Sequence, residues 1–335
     1  MSKVIIRRGI LVLLIMLLMM SGCAGQSGEV TNEKASPSRI AIASASPGGG
    51  FYMGASAVAT IINNKIEGVD AVVEITGASK HNVDLLQAGQ VQLGMVATEV
   101  AWEAWNGKFS YEGQPQDKIR TVAPGWPGVY MFVTLDKHKD INSVVDFDGK
   151  PYSSGPKGSS NEVVFNYIMD ALEFKPQISN LPTSDAARAL TDDNIAGFSI
   201  AWPAPSVTEL ETAHKVKILT LDEAQKDEFK SKYPQYVWLN IPAGTYKALP
   251  DGAENVGLYN LVCCRADLSE EFVYELTKAL YENVDTIQRV WPQMAEGMAF
   301  DNVTYATAPY HIGAVKYFQE QGVDIPEDLL PPEMQ

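Results

Sequence analysis

The chain has 335 residues and is acidic, with 41 Asp and Glu against 26 Lys and Arg and a formal net charge of −15. That balance leaves no basic face to displace counterions from phosphates, so a nucleic-acid partner is disfavoured. Three cysteines and four scattered histidines (His81, His138, His214 and His311) offer no zinc spacing, and neither a metal nor a cofactor is expected.

The chain opens on Lys3, Arg7 and Arg8, followed by an apolar stretch over residues 10–20. That stretch is shorter than the ~20 residues a spanning helix needs. The "MSGC" that closes it, ending at Cys23, resembles a lipobox. The resemblance implies a signal peptide over 1–22 and Cys23 as the lipidated first mature residue, which puts the protein at the cell envelope. Residues 23–38 are mostly Gly, Ser, Asn, Glu, Pro and Lys and read as a flexible tether. No later segment is long and apolar enough to span. About 300 residues remain, a length for two domains of roughly 150.

Residues 40–43 form a short apolar run that predicts a buried strand. Gly48, Gly49 and Gly50 follow, and then Phe51, Ala55, Val58, Ala59 and Ile62 recur at helical spacing. "AVVEIT" predicts a strand, and "KHNVDLLQAG" a helix stopped by Gly89. "VQLGMVA" predicts a strand, and "EVAWEAWNG" a helix stopped by Gly107. "YMFVTL" is a further strand, and "KPYSSG" is a strand running into the helix "SSNEVVFNYIMDALEF". "IAGFSIAW" and "KVKILTL" are strands, each with a helix after it. "NVGLYNLVCCR" is a long apolar strand and "SEEFVYELTKALYENV" an amphipathic helix. This alternation predicts an α/β chain with mostly parallel sheets. Adjacent Cys263 and Cys264 in a strand face opposite ways and read as two buried free thiols.

The glycine-turn-helix device occurs twice, at "SPGGGFY" and at "SSGPKGSSNE". Glycines let a backbone approach a ligand, and free amides at a helix start attract anions. Two such turns facing each other would form a cleft with a helix N-terminus on each wall. Tyr52 could add a hydroxyl or ring. Ser159, Ser160 and Asn161 could cap the second helix or bind a ligand, and "TGAS" with Thr76 and Ser79 offers the same two roles. Trp126 in "APGWPG" and Trp202 in "IAWPAP" are expected at strand ends, as ligand walls or hinge packing. Trp102 and Trp105 read as helix packing. Gly48, Gly50, Gly54 and Glu74 approximate a dinucleotide fingerprint, and Tyr274 and Lys278 have a dehydrogenase-like spacing. That tyrosine lies late in the chain, on an ordinary amphipathic helix, and an exported protein has little access to NAD.

"SPGGGFYMGASAVATIIN" and "ITGASKHNVDLLQAGQVQLGMVATEVAWEAWNG", with "SSGPKGSSNEV" and "YHIGAVKYFQEQG", resemble the ordered motifs of TAXI-type solute-binding receptors of TRAP transporters. The resemblance runs over residues 39–322. It implies a two-lobed type II periplasmic-binding-protein fold with a ligand cleft between lobes 39–134 plus 255–335 and 135–254. Crossovers are expected near Leu135 and Asn255. It implies a small organic acid or amino acid as ligand, such as glutamate or a dicarboxylate, a TRAP permease as partner, and no catalysis. Carried over by motif, the ligand contacts are Gly49, Tyr52, Thr76, Ser79, Asn82, Ala97, Thr98, Glu99, Trp126, Ser159, Ser160 and Asn161, with Trp202 and Pro203. Ala97, Trp126 and Ser160-Asn161 depart from the residues those receptors favour. A sensor subunit of a signalling system shares the fold. An exported enzyme would need a titratable pair in the cleft, and no base-nucleophile pair is apparent.

Overall fold

The computed structural model describes residues 37–233 and 236–335. The expected signal peptide, Cys23 and all but the last two residues of the expected tether lie outside the described residues. In chain order the elements are β1 (Arg39–Ala43), α1 (Gly50–Lys65), β2 (Asp70–Glu74), α2 (Ser79–Gln87), β3 (Leu93–Ala97) and α3 (Thr98–Asn106). Then come β4 (Ile119–Leu135), β5 (Pro151–Ser153), α4 (Ser160–Leu172), β6 (Gln177–Ser179), α5 (Thr183–Thr191), β7 (Gly197–Trp202) and α6 (Pro205–Ala213). The chain continues through β8 (Val216–Leu219), α7 (Glu223–Lys232), β9 (Val237–Ile241), β10 (Ala253–Arg265) and α8 (Glu270–Glu282). It closes with α9 (Val284–Val290), α10 (Pro292–Gly297) and α11 (Ile312–Glu320).

These strands join in one sheet, ordered β2-β1-β3-β10-β4-β7-β5-β6, with β8 added to β4 and β9 to β10. The expectation of mostly parallel strands is corrected. β1 pairs in parallel with β2 and β3, and β5 with β6 and β7. Every pairing that the two long strands, β4 and β10, make with another strand is antiparallel, beside one isolated parallel bridge from Thr121 to Tyr310. Direction follows from connections rather than from strand sequence. β4 carries the chain from the first lobe into the second and β10 carries it back, so the two must run in opposite senses.

Trp126 is a second correction, because it lies inside β4 rather than at a strand end. The register between β10 and β4 jumps from Tyr259 opposite Pro127 to Leu261 opposite Pro124, leaving one extra residue on β4. Pro124 and Pro127 precede Val129, where β7 joins the other edge. Proline's missing donor is tolerated at such a bulge.

The buried apolar residues divide in the same way. One set of clusters draws on residues 40–126 and 261–329, and the other on residues 129–258 with Ala97. Phe51, on the first turn of α1, packs against both sets. Cys263 and Cys264 are buried and unbonded to each other, in different clusters, as alternation along a strand requires.

Candidate functional site

Helices α1, α4 and α5 each begin just beyond the C-terminal end of a parallel strand, β1, β5 and β6. Ligands of open α/β sheets gather at such ends. Gly48 turns the chain after β1 at φ +84°, a conformation that side chains rarely adopt. Gly49 then caps α1 with its backbone alone, since no side chain accepts from the first turn. The amides that open α1 are left for whatever occupies the cleft.

A cavity of about 60 Å³ lies in front of this terminus. Gly49, Gly50, Phe51 and Ser46 form one wall, and Ser159, Ser160, Asn161 and Thr183 the facing one. Trp126, Asn260, Trp202 and Pro203 complete it, and no charged side chain lines it among the described residues. Ser159 Oγ accepts from the Glu162 amide at 3.2 Å, so its lone pairs are partly spent on capping α4. Asn161 Oδ1 and Trp202 Nε1 are buried without a partner among the described residues. Trp126 is held edge-on between Phe51, at 6.2 Å, and Trp291, at 6.0 Å, and its carbonyl accepts from Asn260 Nδ2 at 3.0 Å. The Lys80 amide donates to the Gly158 carbonyl at 2.8 Å, tying the lobes together beside the cavity.

Seven of the expected contacts line this space: Gly49, Trp126, Ser159, Ser160, Asn161, Trp202 and Pro203. The other seven stand elsewhere. Tyr52 is one residue, or about 100° of helix, beyond Phe51, and Phe51 takes the lining position. Asn82 is fully buried, and its Nδ2 donates to the Ser44 and Met95 carbonyls at 2.8 and 2.7 Å. Thr76 Oγ1 contacts Asn82 Oδ1 and donates to the Ser44 carbonyl at 2.9 Å. Ser79 Oγ accepts from the Ala97 amide at 3.0 Å, inside the protein. These four residues join α2 to β1 and β3. Thr98 Oγ1 accepts from the Tyr259 amide at 2.9 Å, and Thr98 and Glu99 line a different cavity.

Glu99 accepts from the Tyr130 hydroxyl at 2.7 Å. Burial pushes its carboxyl up to about 8, against the opposing effect of that hydrogen bond. Glu103, one turn on, is also raised by burial, while the Tyr167 hydroxyl donating at 2.9 Å favours its charged form.

Sequence reasoning missed Phe51, Ser46, Thr183 and Asn260. Asn260 had a signal, as the lone amide within "GLYNLVCC". Phe51 had none, because aromatic residues on a helix face usually fill cores.

Residues 42–322 match the model of the NMT1-like family. Among solved structures, a protein of Bordetella bronchiseptica RB50 is 16% identical, with 87% of this chain and 86% of that chain covered at a TM-score of 0.52. A putative L-cystine ABC transporter protein from Listeria monocytogenes is 13% identical, covering 80% and 98%, at 0.48. An ancestral arginine-binding protein bound to arginine is 14% identical, covering 78% and 99%, also at 0.48. At 16% identity the likeness to the Bordetella protein is one of fold alone, two α/β lobes with a cavity between them.

Proposed function

The chain belongs to the NMT1-like family, and from that premise we propose that it is an extracytoplasmic solute-binding protein and not an enzyme. It captures a small organic anion, a glutamate-like amino acid or a dicarboxylate, and passes it to a TRAP permease while Cys23 holds it to the envelope by lipid. One observation carries this reading. Two helix N-termini, α1 and α4, face each other across a cavity whose lining has no charged side chain among the described residues. Such termini favour negative charge by ~0.3–1 kcal/mol each when exposed and up to ~2 kcal/mol when partly buried. No nucleophile-base pair lines the cavity with them among the described residues.

The unpartnered groups favour an amino acid within this class. Among the described residues Trp202 Nε1 is a donor without an acceptor, and Asn161 Oδ1 is an acceptor without a donor. A solute bearing both a carboxylate and an ammonium satisfies both. The lobe boundaries proposed for this motion are 39–134 plus 255–335 and 135–254, opening as the Lys80–Gly158 bond breaks.

The test is a thermal-shift screen of amino acids and dicarboxylates on the full chain. A solute at 100 times its Kd stabilises by ~2.7 kcal/mol, a readily seen rise in Tm. Trp202→Ala should cut that rise. If no member of either class shifts the wild type, the reading fails.

A further inference from the structure

A second cavity, of about 380 Å³, opens where β3 ends and β9 begins along one edge of β10. It is of a size that small ligands fill. Its acidic wall comes from α3, where Glu99 and Glu103 stand one turn apart on the same face. Aromatic residues form the rest: Trp102 beside them, Tyr236 before β9, and Tyr259 stacked on Tyr305 with ring centres 4.6 Å apart. No Lys, Arg or His lines it among the described residues.

Two polar atoms in this wall are unspent. Glu99 is 9% exposed, its Oε1 accepts from Tyr130, and its Oε2 has no partner among the described residues. Tyr236 is 5% exposed and its hydroxyl also lacks one. Glu103, by contrast, accepts from Tyr167 and from the Ser110 amide at 3.4 Å. A buried acceptor of this kind costs free energy unless a donor reaches it. Aromatic faces and carboxylates together attract a cation.

We propose that this cavity, which shares only Leu258 with the lining of the solute cavity, is a second binding site that takes a small organic ammonium ion. The ammonium donates to Glu99 Oε2 and to the Tyr236 oxygen, and its alkyl part lies against Tyr259 and Tyr305. The ligand arrives with its own proton, so a protonated Glu99 gives its proton to solvent on binding. The groups facing Glu99 are Glu103, Tyr130 and Tyr236, and none of them is a cation that could take the place of the ligand.

The probe is n-butylammonium, with n-butanol as the neutral isostere, titrated calorimetrically into the full chain at pH 7 in buffers of different ionisation enthalpy. Saturable binding of the amine alone is expected, with release of close to one proton. Glu99→Gln should weaken it at least tenfold and abolish the proton release. Tyr305→Ala, at a half-exposed position, should weaken it several-fold while leaving proton release intact, with an unchanged denaturation midpoint confirming the fold. Absence of saturable amine binding, equal binding of n-butanol, or full affinity in either variant would overturn the proposal.

Discussion

Replacing Glu99 by Gln should change how stability depends on pH. The carboxyl is nine-tenths buried and sits at about 8 in the folded protein, against 4.5 when solvated. Between those values the unfolded chain has released the proton and the folded chain keeps it. The folded state binds more protons, so stability falls as pH rises. The contribution is fully present below 4.5 and is lost as pH climbs through about 8. The displacement corresponds to about 5 kcal/mol in total, most of which falls between pH 5 and pH 8. Gln keeps an oxygen for Tyr130 and carries no titrating group. Urea denaturation of the wild type and of Glu99→Gln at pH 5, 6, 7 and 8 measures the difference, which includes the coupling of Glu99 to Glu103. The variant should gain on the wild type by roughly 1 kcal/mol per pH unit across this range. A difference that stays constant with pH would refute the reasoning, since it would mean that Glu99 ionises in the fold as freely as in water.

Ala78 sits at φ +71° and ψ −152°, a region that essentially only glycine occupies. Ala78→Gly should therefore stabilise the protein by about 1 kcal/mol in the same denaturation assay, and a loss of stability would show that the turn is unstrained. Asn82→Ala removes a donor from the Met95 carbonyl and one of two from the Ser44 carbonyl, which keeps Thr76, and should cost about 2–3 kcal/mol, whereas an unchanged midpoint would deny it a structural role. In solute titrations Phe51→Ala should weaken binding several-fold and Tyr52→Phe should not, since Phe51 lines the cleft and Tyr52 does not. The reverse order would mean that the cleft is lined differently when occupied.

Glycine turns and helix starts were legible in the sequence because each is a local event. The three glycines before Phe51 and the Ser159-Ser160-Asn161 turn mark strand-to-helix junctions by composition alone, and Gly49 and Gly50 of the first and all three residues of the second line the cavity. The direction of β4 and β10 was not legible, because it depends on which lobe each end of the strand enters. The roles of Thr76, Ser79 and Asn82 were hidden for a related reason. A polar group at a strand end can point at a ligand or back at a neighbouring backbone. The choice here is made by β1 and β3, which bring the Ser44 and Met95 carbonyls to Asn82 from other parts of the chain. Trp126 shows a third limit. Two flanking prolines suggest a loop, but a bulge opposite Asn260 keeps them in the strand and turns the indole toward α1. A Cβ on Gly54 would lie 2.5 Å from that ring, so the glycine is spatially required although nothing in its helical context announces it.

If the cleft holds an anion as proposed, with no cationic side chain lining it among the described residues, it should respond to salt in an unusual sense. The chain carries a net charge of −15, so its long-range field repels an approaching anion, and the attraction of the helix termini acts only within the last turn. Adding salt shortens the Debye length from ~30 Å at 0.01 M to ~10 Å at 0.1 M and screens the repulsion. It screens the enclosed contacts much less. Capture of glutamate or a dicarboxylate should therefore become faster as salt rises over this range, by about twofold or more, with the dissociation rate little changed. Trp126 and Trp202 line the cavity and provide an intrinsic fluorescence signal for stopped-flow measurement. The dicarboxylate, with its larger charge, should show the steeper dependence. Slower capture with rising salt would mean that a cationic group steers the solute, and the account of a cleft built from amides and hydroxyls would fall with it.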